Sequence, residues 1–254
     1  MSAISSVTGY GASSYIQQLS SGKRINSAAD DAAGLTISES LKKERNAHDV
    51  VSENDKQGID ALNIADGALG GVTDYLQRIK ELSVEASSGL KTADDKAAIQ
   101  AEIDQNLEAI DQLAGAAEYN TKPLLNGDTM NIASNPDGSG VQIGGSVTTT
   151  EALGLKGYNV TGNFDMSKID NAISAVSSQR SAGGAQTNAL EYAYNYSRNA
   201  SEQLTGSQSR IEDLDMAKAV SDMQKENLLS QYRLMFQSKQ SQNQTLLNKM
   251  VLGV

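Results

Sequence analysis

Few residues of this chain could carry nucleophilic or metal chemistry, because it contains one histidine and no cysteine. A Ser-His-Asp triad needs a histidine base beside a nucleophile. The histidine, His48, stands between Ala47 and Asp49 in a charged run, so we expect it on a solvated helix surface. A zinc-protease helix needs two histidines four residues apart beside a glutamate, which one histidine excludes. The sequence thus predicts no catalytic residue, no metal site and no cofactor.

Two pairs of adjacent carboxylates and a glycine-rich segment also suggest chemistry. Adjacent residues point to different faces of a helix, so neither Asp30-Asp31 nor Asp94-Asp95 is arranged for acid-base work. The second pair is better explained by capping of a helix N-terminus. The glycines between residues 138 and 145 are not followed by the Lys-Ser/Thr of a phosphate-binding loop, and they predict a hairpin turn instead.

The distribution of charge limits the partners of the chain. Its net charge of -10 argues against nucleic acid, which binds clustered Lys and Arg. Residues 1–22 carry no charged side chain, residues 23–215 carry 16 basic and 29 acidic groups, and residues 216–254 carry 5 basic and 2 acidic groups. An acidic body therefore lies between two nearly neutral or mildly basic ends.

Membrane association is not indicated by the sequence either. No apolar run reaches the length of about 18 residues that a spanning helix needs. Residues 1–18 lack the basic and apolar regions of a secretory signal peptide. The C-terminal segment could be a membrane-active amphipathic helix, but its charge is low and its pattern fits a partner helix better. We therefore expect no membrane partner and export without a cleavable signal peptide.

Both flanks of the chain are predicted to form long helices, because the two prolines lie near the middle of the sequence. Residues 29–86 have a helical pattern with a weak break near Gly67 to Gly71. Apolar residues in this segment alternate three and four apart, as in a coiled coil: Leu62, Ala65, Leu69, Val72, Leu76, Ile79 and Ala86. A second stripe follows a break at residues 87–92 and predicts an antiparallel partner helix: Ile99, Ile103, Leu107, Ile110, Leu113 and Ala117.

The middle of the chain has a different character. Residues 120–163 contain both prolines and eight glycines, and Asn135-Pro136-Asp137-Gly138 is typical of a turn. Helical spacing resumes at Ser167 and continues with little interruption to the C-terminus. Narrow apolar seams need partner helices to be buried. We therefore predict a mainly α fold, an elongated antiparallel helical bundle or coiled coil with paired N- and C-terminal helices and a small β-hairpin element at about 128–163.

Several long, ordered segments closely resemble the signatures of bacterial flagellins. They are Leu19–Asn26, Ala29–Leu35, Leu76–Leu82, Ile99–Ile103, Glu118–Asn120, Leu124–Gly127, Ile169–Ile173, Gly184–Gln186, Ser209–Asp213 and Asp215–Ala217. Ordered matches of this kind are highly specific, unlike a lone short motif.

The resemblance implies a secreted structural subunit, not an enzyme, that self-assembles into the helical tube of an external flagellar filament used for swimming. It implies an inner coiled-coil domain from residues 1–22 and 216–254, shortened in its N-terminal part, and a rod-like helical domain over residues 23–215. The hairpin region leaves no room for an outer variable domain. The implied partners are other copies of the chain, a flagellar export chaperone and a cap protein.

Alternative functions stay open on the sequence alone. A hook-filament junction protein or a minor flagellin would share the inner helices but would be present in few copies. From a different class, the chain could act as an immune-receptor ligand or an adhesin, and receptor binding can coexist with assembly.

Two sets of site residues are predicted. The resemblance implies a patch that binds Toll-like receptor five, in which Arg78 and Leu82 share a helix face and Glu102 lies on the following helix. Spacing in the C-terminal helix predicts an apolar face, here named the assembly face, that covers about a third of the helix circumference. Its members are Leu228, Leu229, Tyr232, Met235, Phe236, Leu246, Leu247 and Met250.

Overall fold

Helices make up most of the structure. The computed structural model describes the backbone of residues 14–252 and the side chains of residues 14–247. Its helices are α1 at residues 14–21, α2 at Ala32–Ala86, α3 at Ala93–Ala116, α4 at Ser167–Glu212 and α5 at Met216–Leu252. Its strands are β1 at Glu118–Tyr119, β2 at Lys122–Pro123, β3 at Thr129–Ile132 and β4 at Val141–Gly144. The predicted mainly α class with a small β element is confirmed.

Helix α2 is continuous over 55 residues, so the weak break predicted near Gly67 to Gly71 is wrong. Glycine costs an exposed helix about 1 kcal/mol relative to alanine, and packing outweighs that cost here. A Cβ atom at Gly71 would lie 2.8 Å from Cδ2 of Leu113. Gly71 therefore allows α3 to approach α2 closely, and the glycine reflects packing and not a helix end.

The chain folds as two compact units. One consists of Met1–Arg45 and Glu202–Val254, and is here named the end unit. The other consists of Asn46–Ser201, and is here named the middle unit. The end unit thus joins the two distant ends of the sequence, whereas the middle unit holds α3 and all four strands.

The middle unit contains the main apolar core. Val72, Leu76 and Ile79 of α2 are fully buried, as the coiled-coil spacing predicts. The core also includes fully buried residues of α3, α4 and the loop before α4: Ile103, Ile110, Val160, Ile169, Val176 and Leu190. Three helices therefore share one core, because each has a single apolar seam that needs partners.

Helix α3 begins with a capping box. The Asp95 backbone N–H donates to Oγ1 of Thr92 at 3.2 Å, and the Asp95 carboxylate accepts from the Thr92 backbone N–H at 2.9 Å. The pKa of Asp95 is lowered by the hydrogen bonds that its carboxylate accepts from the backbone N–H and from Oγ1 of Thr92. The predicted capping role of Asp94-Asp95 is confirmed, since both carboxylates lie in the first turn of α3.

The predicted hairpin is formed by β3 and β4, which pair antiparallel with Met130 opposite Ile143. Its turn is closed by the Gly138 backbone N–H, which donates to the Asn135 carbonyl at 3.0 Å, and Gly138 has φ +85°. This conformation suits glycine because a Cβ atom would clash with the backbone. A second antiparallel pair, β1 with β2, was not predicted from the sequence.

His48 is buried, so the predicted solvated position is wrong. The residue is only 6% exposed, and its Nδ1 lies 3.5 Å from Oγ of Ser197. Its ring also meets the ring of Tyr196 edge to face, with 5.9 Å between centroids. The charged neighbours of His48 in the sequence point elsewhere on α2, because adjacent helix positions are about 100° apart.

Candidate functional site

The N-terminal and C-terminal parts of the chain meet in the end unit at a chain-end junction, defined by residues 22–24 and 212–214. The Arg24 backbone N–H donates to the Glu212 carbonyl at 2.7 Å, and the Leu214 backbone N–H donates to the Gly22 carbonyl at 3.0 Å. Lys23 and Asp213 form the antiparallel bridge between these bonds. The end of α1 and the beginning of α5 are thereby held at one point.

Glu212 is the centre of the side-chain contacts at this junction. Its carboxylate accepts from Nζ of Lys23 at 2.5 Å, from Oγ of Ser38 at 2.7 Å and from Nε2 of Gln208 at 2.9 Å. The residue is 8% exposed. Lys23 first, and then Gln208 and Ser38, lower the pKa of Glu212 to about 2. A mostly buried carboxylate is stable here because each donor stabilises its charged form.

Local sequence explains why the helices change direction at the junction. Helix α4 ends at Glu212, and Asp215 caps the next helix, since its Oδ1 accepts from the Lys218 backbone N–H at 3.0 Å. On the other side, Asp30 accepts from the backbone N–H groups of Asn26 and Ser27 at 3.0 and 2.8 Å. These bonds lower the pKa of Asp30 and shape the turn that leads into α2.

The assembly face of α5 is uncovered in the single chain. Its seven members within the described side chains are between 39% exposed at Leu229 and 72% exposed at Phe236. Met250 lies outside the described side chains. At about 100° per residue these positions share one side of the helix. Leu234 is 65% exposed but points to the opposite side.

The three residues predicted to bind a receptor are not equally accessible. Nε and Nη2 of Arg78 donate to Oε1 of Glu102 at 2.9 and 2.7 Å, so this pair joins α2 to α3 on the surface. Nη1 of Arg78 also donates to Glu81 at 3.2 Å. Leu82, however, is 2% exposed and belongs to the core. The expectation of one exposed patch containing Leu82 is therefore corrected: the structure brings Arg78 and Glu102 together at the surface and places Leu82 beneath it.

Sequence reasoning missed the junction pair Lys23 and Glu212. Lys23 lies inside the segment Leu19–Asn26 and Glu212 inside Ser209–Asp213, both of which resemble flagellin signatures. Lys23 is also the first charged residue of the chain, after an uncharged stretch of 22 residues. That change in charge was the one available signal for a specific ionic contact.

The described residues, 14–252, hold neither a metal-ligand cluster nor a membrane-spanning helix. No cluster of three or more His, Asp or Glu side chains in that range is arranged to hold a metal ion. No helix in that range is both long and apolar enough to cross a bilayer.

Comparison with known proteins gives a consistent result. The chain matches the family model of the bacterial flagellin N-terminal helical region over residues 8–130 and that of the C-terminal helical region over residues 166–250. It is 36% identical to a flagellin of Halalkalibacterium halodurans, with 85% of this chain and 83% of that protein aligned. It is 34% identical to the flagellar filament 33 kDa core protein of Treponema phagedenis, with 85% and 84% aligned.

A solved structure supports the same fold. The crystal structure of Bacillus cereus flagellin aligns with a TM-score of 0.51 and 24% identity, over 57% of this chain and 88% of that one. Three features together define a filament-forming structural protein. They are the long packed helices, the chain-end junction, and the family matches over both flanks of the chain. The chain belongs to the bacterial flagellin family. It is a structural subunit of the flagellar filament and not an enzyme, and the hook-junction and adhesin alternatives are not favoured.

Proposed function

We propose that copies of this chain polymerise through the assembly face of α5. The observation that supports this proposal is the exposure of large apolar side chains along one side of that helix, among them Tyr232, Met235 and Phe236 at 62–72%. Isolated exposed apolar residues are common, but a continuous apolar stripe marks an interaction surface. A homopolymer supplies a partner for it in every neighbouring copy.

The energy available from this face is large enough to drive assembly. Burying one side chain of this size contributes about 1.5–3 kcal/mol. Ordering and lost freedom on association offset part of the sum over several side chains. Residues 1–22 of neighbouring copies are the proposed cover, because they carry no charge, and Ile16 in α1 is itself 61% exposed.

The chain is proposed to divide into an inner domain, which carries the assembly face, and a rod. Residues 1–22 and 216–254 would form the inner coiled-coil domain, and residues 23–215 the rod. No outer variable domain is proposed, since only residues 145–166 lie between β4 and α4. An export chaperone and a cap protein would bind the assembly face before copies of the chain cover it.

Electron microscopy of the purified chain tests the proposed polymerisation. After incubation at high concentration, we expect tubular filaments of uniform diameter that sediment and that dissolve again into monomer on dilution. A chain that stays monomeric, or that forms only irregular aggregates, would refute self-assembly through a defined face.

We also propose a second activity, binding of the monomer to Toll-like receptor five. The supporting observation is the ion pair of Arg78 and Glu102, whose side chains are 49% and 45% exposed and bridge two helices. A guanidinium held by two acidic groups presents a fixed polar surface. Leu82 would support this surface from the core without contacting the receptor.

A further inference from the structure

Helix α4 exposes two large aromatic side chains in the middle unit. Tyr192 is 78% exposed and Tyr196 is 67% exposed. They are four residues apart, so both extend from the same side of α4. The ring of Tyr196 meets the buried His48 edge to face, with 5.9 Å between centroids, and is therefore supported from within the unit. Solvent-facing tyrosines that cost little entropy to order are typical anchors of protein interfaces.

The helix surface around these tyrosines carries no charge. We name it the tyrosine face and define it as the exposed positions from Ser174 to Asn199 that lie within about 60° of Tyr192, at about 100° per residue. Its members are Ser174, Ser177, Ser178, Ser181, Ala185, Asn188, Ala189, Tyr192, Asn195, Tyr196 and Asn199, and all of them are exposed. Charged residues make up 20% of the chain, so about two charged residues would be expected among these eleven positions.

The charged residues of α4 between Ser174 and Asn199 lie off the tyrosine face. Asp170, which shares this side of the helix one turn earlier, pairs with Lys80 of α2 at 2.6 Å. Arg180 pairs with Asp66 of α2 at 2.8 Å. Arg198 stacks over Tyr194, 5.9 Å from its ring centre, and Glu191 precedes Tyr192 by about 100° around the helix. Depletion of charge around aromatic anchors distinguishes the core of an interface from ordinary protein surface.

We propose that the tyrosine face is covered by a second copy of this chain in the filament. The occupant follows from the charge of the molecule as well as from its homopolymeric nature. Each copy has a net charge of -10, so acidic surfaces of two copies repel when they meet. The tyrosine face brings no charge into a contact and supplies two rings that can pack against the neighbour. It lies in the middle unit and is independent of the assembly face of α5.

Chemical footprinting of monomer and filament tests this proposal. Tetranitromethane nitrates exposed tyrosines, and mass spectrometry reports each site separately. Nitration of Tyr192 and Tyr196 should fall about fivefold or more on polymerisation. Filaments in which both tyrosines react as fast as in the monomer would overturn this inference alone. A wild-type chain that forms no filament would overturn both this inference and the proposed polymerisation.

A variant series separates packing from folding. Tyr192→Ser with Tyr196→Ser should raise the concentration needed for polymerisation about fivefold or more. The matched double change to Phe keeps the rings and should polymerise nearly like the wild type. The Phe variant keeps the ring of residue 196 against His48 and should unfold at the wild-type temperature, whereas the Ser variant loses that contact and should unfold somewhat lower. Polymerisation is therefore compared at a temperature at which both monomers are folded. Equal polymerisation of the Ser and Phe variants would contradict a contact through the rings.

Discussion

Glu212 accepts a hydrogen bond from Lys23, which lies 189 residues earlier in the sequence, and the distance from Nζ of Lys23 to Oε1 of Glu212 is 2.5 Å. The backbones of the same two segments are joined by hydrogen bonds on either side of this pair. The contact therefore fixes where α1 ends relative to where α5 begins. In a subunit whose N- and C-terminal segments are proposed to assemble together, this junction sets the direction in which α5, which carries the assembly face, leaves the junction.

The free energy of unfolding of the end unit should fall at acidic pH, because Glu212 becomes protonated there. The pKa of Glu212 is about 2 in the folded chain, below its ordinary value of 4.5. The folded form thus binds this proton more weakly than the unfolded form, so the contribution is fully present above about pH 4.5 and is lost as the pH falls toward 2. In urea denaturation, Glu212→Gln should cost about 2 kcal/mol at neutral pH and less near pH 3.

The control for this prediction is Glu202→Gln, since Glu202 is an exposed residue of the same helix and the same unit. It should change the free energy of unfolding by less than about 0.5 kcal/mol at either pH. A difference between wild type and Glu212→Gln that stays constant from neutral pH to pH 3 would refute an ionised Glu212 as the centre of the junction.

A buried carboxyl group in the middle unit should limit its stability. Asp55 is fully buried, and neither of its carboxylate oxygens accepts a hydrogen bond from the described residues. Burial raises the pKa of Asp55, and the nearby Ser134 hydroxyl acts in the opposite direction. A raised pKa means that the folded chain favours the protonated form, so stability is lost as the pH rises through that pKa.

We therefore expect Asp55→Asn to stabilise the middle unit by about 1–2 kcal/mol at pH 7, with a smaller gain near pH 4. Thermal unfolding at both pH values measures the effect. Asp60→Asn, at an exposed position of the same helix, should be neutral. If the Asp55→Asn protein is less stable than the wild type at pH 7, the charged carboxylate is stabilised by its surroundings and the prediction is wrong.

Substitutions of Arg78 and of Leu82 should affect the affinity for the receptor differently. Arg78→Ala should weaken binding of the monomer to the ectodomain of Toll-like receptor five by about tenfold or more, measured by surface plasmon resonance. Lys80→Ala is the matched control, because Lys80 is similarly exposed but pairs with Asp170 of α4. Unchanged affinity of the Arg78→Ala protein would show that Arg78 is not part of a receptor-binding site.

Leu82→Ala should mainly reduce stability, by about 2–4 kcal/mol, because its side chain is in the core. Its affinity for the receptor, measured well below the unfolding temperature, should stay within about threefold of wild type. A large loss of affinity without a loss of stability would indicate direct contact.

Periodicity predicted the core of α2 and α3 well, because burial of an apolar seam is decided by spacing along one helix. Val72, Leu76 and Ile79 are fully buried at the expected positions. The capping role of Asp95 was equally local and equally predictable. Features that depend on one helix and its own hydrogen bonds follow from the sequence pattern.

Features that depend on a second helix were predicted less well. His48 looked solvated because its sequence neighbours are charged, but α4 covers it with Ser197 and Tyr196. Leu82 follows Arg78 by one turn, yet the seam of α2 places it in the core. The pair of Lys23 and Glu212 is separated too far along the chain for any local pattern to reveal it. Each of these positions was decided by tertiary packing.

The claim that α5 drives polymerisation is tested most directly by the critical concentration of Phe236→Asp protein. Phe236 is 72% exposed in the single chain, so the change should leave the monomer's circular dichroism nearly unaltered. Burying an unpaired charge in the filament would cost several kcal/mol. Gln237→Asp, which adds the same charge on the polar side of α5, is the matched control and should polymerise. We predict no sedimenting filaments from Phe236→Asp protein at concentrations where Gln237→Asp protein is fully polymerised; normal filaments from Phe236→Asp protein would contradict the assembly face.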